Sequence, residues 1–86
     1  MKREESDAEV GDTVEYHPTG STGTVSYGQV TYIMTHKEEF EPRHITPKAS
    51  AEDPRYVIKN VHTGKENPYK KDAIIKVVKK AEQKTQ

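Results

Sequence analysis

Residues 55–70 of the chain have the sequence RYVIKNVHTGKENPYK, which has the pattern of a β-hairpin. Residues 55–61 are rich in β-branched and aromatic side chains, which favour a pleated, half-buried surface. Residues 62–65 follow as a turn in which Gly64 can adopt a positive φ at little cost. Residues 66–70 then return as the partner strand. We therefore predict two antiparallel strands joined by this turn.

Two further strands are predicted before the hairpin. Residues 10–16 form the first, with Val14 and Tyr16 on one face. Residues 22–35 form a long second strand in which the alternation of apolar and polar side chains slips by one residue near Gly28. Because such a slip turns the core face outward unless an extra residue is absorbed, we expect a bulge or bend at this glycine.

The rest of the domain is expected to contain one loop, one helical turn and one strand. Residues 36–53 are charged and interrupted by two prolines, so they form an irregular loop or a short edge strand near residues 43–46. Residues 70–73 are long enough for one helical turn, and residues 74–78 form the last strand.

The composition supports an all-β fold. The chain of 86 residues has room for one small domain and contains eight Val and five Ile but no Leu. Helical cores depend on Leu and Ala, whereas β-branched residues suit sheets. We place the domain at residues 10–78, between a disordered N-terminal tail at 1–9 and a polar C-terminal tail at 79–86.

Five short strands with a bent second strand and a one-turn helix before the last strand are typical of a small SH3-like barrel. Closure of such a barrel removes exposed strand edges, and the interior holds only side chains. The side chains expected to fill it are Val14, Tyr16, Val25, Val30, Ile58 and Val77.

Several chemical classes are excluded by the sequence. Without Cys there is no disulfide, no thiolate metal site and no thiol nucleophile. The four His residues have no metal-ligand spacing, and no Gly-x-Ser-x-Gly motif occurs. We therefore expect neither an enzyme nor a metal or cofactor. The sequence also contains no signal peptide and no apolar run that could span a membrane, which predicts a soluble intracellular protein, cytoplasmic or nuclear.

Charge is balanced overall but divided along the chain. Residues 1–43 have a net charge of −5, and residues 44–86 have a net charge of +5. A basic surface of this kind can meet an anionic partner, and the guanidinium group of arginine suits carboxylate or phosphate. The candidate ligand-binding residues lie beside the predicted strands and are Arg43, His44, Arg55, His62, Lys65, Tyr69 and Lys70.

Several segments of the chain resemble the hypervirulence-associated protein tudor domain, a small family of mostly fungal and bacterial proteins. The resemblance covers about residues 10–78 and is carried by GDTVEY at 11–16, STGTV at 21–25, ASAEDPRYVIKN at 49–60, TGKE at 63–66 and Tyr69-Lys70. It implies a tudor-type SH3-like barrel, linked by the family name to fungal virulence, with no catalytic residues to assign. Tudor domains can hold methylated amines in a cage of aromatic rings, but this chain has no Trp, and several of its aromatic rings are needed for the core.

The leading hypothesis is a non-enzymatic binding module whose basic C-terminal half binds an acidic protein segment or a phosphorylated ligand such as a small anionic metabolite. One alternative is a metabolic regulator that binds a nucleotide cofactor such as NAD(P)(H), although no dinucleotide fingerprint is present. Another is a nucleic-acid-binding SH3-like barrel, against which the zero net charge argues. We expect a monomer with no membrane partner.

Overall fold

Five antiparallel strands make up the fold of residues 8–18 and 23–81, which the computed structural model describes. In chain order they are β1 (Thr13–Tyr16), β2 (Ser26–Met34), β3 (Arg55–Asn60), β4 (Glu66–Lys70) and β5 (Ile74–Lys79), with a 3-10 turn at Lys71–Ala73 before β5. They lie in one sheet in the order β4-β3-β2-β1-β5. The predicted small five-stranded all-β fold of SH3-like type is therefore confirmed, including the single helical turn before the last strand.

The hairpin of β3 and β4 forms as its sequence predicts. The register is regular along the whole hairpin, beginning with Arg55 opposite Lys70. Gly64 has a φ of 77°, and its N–H group donates a hydrogen bond to the Asn60 carbonyl at 2.8 Å. The turn therefore uses a backbone conformation that glycine adopts without steric cost.

The long strand β2 pairs with both β1 and β3. Its register against β3 shifts between Val30 and Tyr32, which places one extra residue there. The bulge predicted at Gly28 is wrong, because this glycine pairs regularly with both neighbouring strands. A Cβ atom at position 28 would lie 2.7 Å from the carbonyl oxygen of Lys59. Glycine is needed here for the close approach of β3 rather than for a bulge.

An inner cluster of buried side chains is contributed by β1, β2, β3, β5 and Ala8. Val25, which we predicted to be part of it, is 41% exposed, because it precedes β2 and shares the solvent-facing phase of Tyr27. Val77 is half-buried and packs against the cluster. The buried members are Ala8, Val14, Tyr16, Val30, Tyr56, Ile58 and Ile74, which include the other four predicted interior residues.

An outer cluster of buried side chains lies on the other face of β3. It consists of Met34, Phe40, Ala49 and Val57. Val57 lies between two residues of β3 that belong to the inner cluster, so β3 is buried on both faces. Residues 35–54 cross this face as an irregular loop, the first of the two predicted alternatives. The other alternative was a short edge strand near residues 43–46. At this place the structure has an isolated bridge between Phe40 and Ile45 instead of a strand.

The two ends of the described chain meet at Asp12. This aspartate is 1% exposed, and its carboxylate oxygens accept hydrogen bonds from the N–H groups of Glu9 at 2.9 Å and Ala81 at 2.7 Å. Ala8, within the predicted N-terminal tail, is buried in the inner cluster. The remainder of the predicted tails, residues 1–7 and 82–86, lies outside the described residues.

Candidate functional site

A tight turn at residues 41–44 projects the Arg43 side chain from the long loop. Phe40 and Ile45 close this turn, with the Phe40 N–H group donating to the Ile45 carbonyl at 2.7 Å. Within it His44 adopts a left-handed φ of 55°. Phe40 belongs to the outer cluster, which fixes the base of the turn against β3. The position of Arg43 therefore depends on how the loop packs.

The Arg43 side chain reaches β4, where its Nη1 group donates a hydrogen bond to the Oδ1 atom of Asn67. The amide is neutral, so this bond orients the guanidinium group without compensating its charge. Among the residues that the structure describes, no carboxylate lies within ion-pairing distance of Arg43. Its charge and its other N–H groups are therefore available to an anion.

Two cavities flank the Arg43–Asn67 hydrogen bond, and both are lined by these two residues. The basic cavity, of about 250 Å³, is lined in addition by Pro42, Lys65 and Glu66. The apolar cavity, of about 410 Å³, is lined in addition by Pro18, Ile45, Pro68 and Tyr69. Because the lining residues 65–69 follow one another from the β3–β4 turn into β4, the two cavities form one groove along this strand, which we call the β4 groove.

Tyr69 separates the apolar cavity from the inner cluster. Its ring packs against the ring of Tyr16, with the centroids 5.0 Å apart and the planes tilted by 57°. Tyr16 is fully buried, so it offers no ring face to a ligand, and this burial raises the pKa of its hydroxyl group. In the described part of the chain, the β4 groove is thus lined by a single aromatic ring and forms no aromatic cage.

Asn60 connects the interior to the turn between β3 and β4. Its Nδ2 group donates to the Tyr16 hydroxyl at 2.9 Å. Its Oδ1 atom accepts hydrogen bonds from the N–H groups of His62 at 2.7 Å and Thr63 at 3.0 Å. The Asn60 N–H group also donates to the Lys65 carbonyl at 2.9 Å. The turn that places Lys65 at the basic cavity is therefore held from inside the fold.

Three of the seven predicted ligand-binding residues lie together at the β4 groove: Arg43, Lys65 and Tyr69. His44 belongs to the same turn as Arg43, but its side chain is 85% exposed and its Nδ1 atom lies 3.6 Å from a carboxylate oxygen of Glu39. His62 is exposed in the β3–β4 turn and lines neither cavity.

The remaining two, Arg55 and Lys70, lie opposite each other at the far end of the hairpin. The Nη1 group of Arg55 is 3.0 Å from Oδ1 of Asp53 and donates to the Asp53 carbonyl at 2.9 Å. A cavity of about 430 Å³ beside them is lined by Asp53, Lys70, Lys71, Asp72 and Ile74. Because two carboxylates offset two lysines in this cavity, it suits an anion less well than the β4 groove does.

Asn67, which orients Arg43, was not among the predicted ligand-binding residues. A signal for it was available, since alternation along β4 places Asn67 on the same face of the strand as Tyr69. The apolar wall formed by Pro18, Ile45 and Pro68 was also not predicted. These three residues come from separate segments of the chain, so no local pattern relates them.

Within residues 8–18 and 23–81, the structure has no metal-binding cluster and no membrane-spanning helix. In that part of the chain, no group of three His, Asp or Glu side chains is placed to hold a metal ion. Its helical content is one 3-10 turn, and no helix in it is long and apolar enough to cross a membrane.

Comparison with known proteins gives one match. The model of the family described as "Hypervirulence associated proteins TUDOR domain" matches residues 11–74, a range that includes every residue lining the β4 groove. No curated protein and no solved structure matches the chain significantly. The family match covers most of the chain. The chain therefore belongs to the hypervirulence-associated protein tudor domain family.

Proposed function

We propose that this chain is a non-enzymatic module that binds an acidic peptide segment in the β4 groove. A tudor-type domain is in general a small, non-catalytic binding module. The observation that supports the ligand class is the state of Arg43. Its guanidinium group is oriented by the neutral Asn67 amide, between two cavities, and has no carboxylate partner among the described residues.

The chemistry of the basic cavity suits a carboxylate. Arg43 keeps N–H donors that are not used by Asn67, and Lys65 adds a second positive charge. Glu66 also lines this cavity, so the charged side chains of its lining sum to +1. A carboxylate that accepts hydrogen bonds from Arg43 would form charge-assisted contacts, which are about twice as strong as neutral ones.

The apolar cavity favours a peptide over a small anion. Besides Arg43 and Asn67, its walls are two proline rings, the Ile45 side chain and the Tyr69 ring. A free phosphate or carboxylate would leave these walls in contact with water, whereas a peptide can bury an apolar side chain against them. Burial of apolar surface contributes roughly 25 cal/mol per Å². A peptide can therefore use both halves of the groove.

The proposal is tested by fluorescence anisotropy with a labelled peptide, Gly-Glu-Gly-Tyr-Gly-Glu-Gly, and with a matched peptide in which Gln replaces both Glu residues. We expect the Glu peptide to bind about tenfold more tightly than the Gln peptide, because a hydrogen bond to a charged group contributes roughly 1.5–3 kcal/mol. Arg43→Ala should reduce affinity by a similar factor, and binding should weaken as salt is added.

The matched control is Lys76→Gln, which removes one positive charge from β5, away from the groove. It should leave the affinity unchanged. Equal binding of the Glu and Gln peptides, or unchanged binding by the Arg43→Ala variant, would contradict the proposal. If inorganic phosphate or a nucleotide displaces the peptide at lower concentration than the free peptide itself does, the site is one for phosphorylated small molecules and the peptide proposal is wrong.

A further inference from the structure

We infer that the chain has a second binding site, separate from the β4 groove, which takes a single phosphate group. The site is a cavity of about 140 Å³ where the two ends of the described chain meet, and we call it the β5 cavity. Its lining residues are Gly11 before β1, Thr13 in β1, Gln29 in β2, Lys79 at the end of β5 and Lys80 after it. None of them lines the β4 groove, so this inference does not depend on the proposed function.

The charge of the β5 cavity matches a phosphate group. Its lining contains two lysines and no carboxylate, so the charged side chains sum to +2. The same sum is +1 for each cavity of the β4 groove and zero for the cavity beside Lys70. A phosphorylated side chain carries a charge of about −1.5 to −2 at pH 7, whereas a carboxylate carries a single negative charge. Of these cavities, the β5 cavity therefore suits phosphate best.

The volume of the β5 cavity limits the ligand to a small group. Pockets for drug-sized ligands typically measure about 300–1,000 Å³. A water molecule occupies about 30 Å³ in the liquid, so the β5 cavity has the volume of about five waters. This is room for the phosphorus and four oxygen atoms of one phosphate group but not for a whole nucleotide.

Both lysines of the β5 cavity are available to an anion. Among the residues that the structure describes, neither Lys79 nor Lys80 forms an ion pair or a hydrogen bond through its ammonium group. Two neutral side chains add further donors, the Thr13 hydroxyl and the Gln29 amide. The Nε2 group of Gln29 donates to the Gly11 carbonyl at 3.2 Å, which orients the amide and leaves it a second N–H group.

Three carboxylates near the β5 cavity do not line it. Asp12 is buried and accepts hydrogen bonds from two backbone N–H groups. Glu15, on the same face of β1 as Thr13, has its Oε1 atom 4.0 Å from the Nζ atom of Lys76. Glu9 is exposed, so salt and water screen its charge. The cavity therefore stays open to an external anion.

Strand pairing and the contact between the chain ends form the β5 cavity in advance. Lys79 lies opposite Thr13, and Thr13 lies opposite Gln29, so these three residues form one row across β5, β1 and β2. The Ala81 N–H group donates to the Asp12 carboxylate at 2.7 Å, which fixes the backbone directly after the two lysines. A ligand therefore does not have to order the backbone of the site, which favours binding.

The test is a titration of the isotope-labelled chain with sodium phosphate, followed through its amide NMR signals, with sodium chloride at the same ionic strength as the reference. We expect the backbone signals of Thr13 and Lys80 and the side-chain signal of Gln29 to shift and saturate with phosphate only. The double variant Lys79→Gln/Lys80→Gln should weaken binding about tenfold, because two charged hydrogen-bond donors are lost.

The matched control is Lys37→Gln/Lys48→Gln, which removes the same charge from two exposed lysines of the long loop that do not line the β5 cavity. It should leave the affinity for phosphate unchanged, as should Arg43→Ala, which acts on the β4 groove. If both double variants weaken binding equally, or if chloride causes the same shifts, the attraction is nonspecific and the inference is wrong.

A peptide Gly-Ser-Gly with a phosphorylated serine identifies the source of the phosphate group. Tighter binding of this peptide than of inorganic phosphate would assign the site to phosphorylated residues, and the reverse would assign it to the free ion. Either result supports a phosphate site, provided that the unphosphorylated peptide does not bind. If neither ligand produces saturating shifts at Thr13, Gln29 and Lys80, the inference is wrong.

Discussion

Arg43, in the long loop, and Arg55, at the start of β3, are residues of the same type, yet their surroundings give them different roles. Arg55 is 12% exposed and paired with Asp53 through both the carboxylate and the backbone carbonyl. Arg43 is exposed and bonded to a neutral amide. The comparison teaches that the number of basic residues in a segment does not give the number available to a ligand. Whether a basic residue is available to a ligand depends on the groups that it already contacts in the folded protein.

The largest expected effect separates the two arginines by stability. Arg55→Ala should lower the free energy of unfolding by about 2 kcal/mol, because it removes an ion pair, a hydrogen bond of a charged group and the packing of a mostly buried side chain. Arg43→Ala should change it by less than about 0.5 kcal/mol, as is usual for exposed residues. Urea denaturation followed by circular dichroism measures both variants. Equal losses of stability would show that the two arginines have the same structural role.

A second substitution would make Arg43 resemble Arg55. Asn67→Asp puts a carboxylate where Arg43 now meets an amide, so the guanidinium charge is compensated within the protein. Affinity for the Glu-containing peptide should fall about tenfold, while the change in stability stays within about 0.5 kcal/mol, as for other exposed ion pairs. Asn67→Gln, which keeps a neutral amide, serves as the control. If the Asp variant binds the peptide as tightly as the unsubstituted protein does, a carboxylate at position 67 does not compete with the peptide for Arg43, and the prediction is wrong.

The smallest expected effect is the pH dependence of stability that comes from Tyr16, which packs against the Tyr69 wall of the groove. Burial raises the pKa of its hydroxyl group, so the folded state holds this proton more tightly than the unfolded state does. The stabilisation that arises from this difference in pKa is fully present below about pH 10, the ordinary pKa of tyrosine. It is lost as the pH rises through the higher pKa of the folded state.

Stability of the unsubstituted protein should therefore decrease above about pH 10, and that of Tyr16→Phe should decrease less steeply. Denaturant titrations at pH 9, 10 and 11 measure the two slopes. Tyr27→Phe is a suitable control, because Tyr27 is exposed on β2. Parallel slopes for Tyr16→Phe and the unsubstituted protein would contradict this assignment.

The hairpin could be predicted almost residue by residue because its signals are local. β-Branched residues favour β3, and Gly64 permits the turn. Gly28 misled the prediction, since its need for glycine arises from the approach of β3, which is distant in sequence. Val25 was misplaced because the phase of β2 is set by pairing with its neighbours.

The candidate site was predictable only in part, because only some of its residues belong to the hairpin. Lys65 and Tyr69 follow from the hairpin, but the position of Arg43 depends on the loop. That loop is placed by Phe40 and Ala49 as they pack in the outer cluster. The sequence also gave no indication that Asp53 compensates Arg55 while Arg43 meets an amide, because both pairings depend on side-chain positions in the folded chain.

The hydrogen bonds of the Asp12 carboxylate hold the two ends of the domain close together. Because Glu9 and Ala81 are bound to the same side chain, the polypeptide enters and leaves the domain at one point, at the start of β1. The β4 groove includes Pro18, beyond the opposite end of that strand. This domain could therefore be inserted into a loop of another protein, or circularly permuted by a short linker between its ends, with the groove still facing away from the junction.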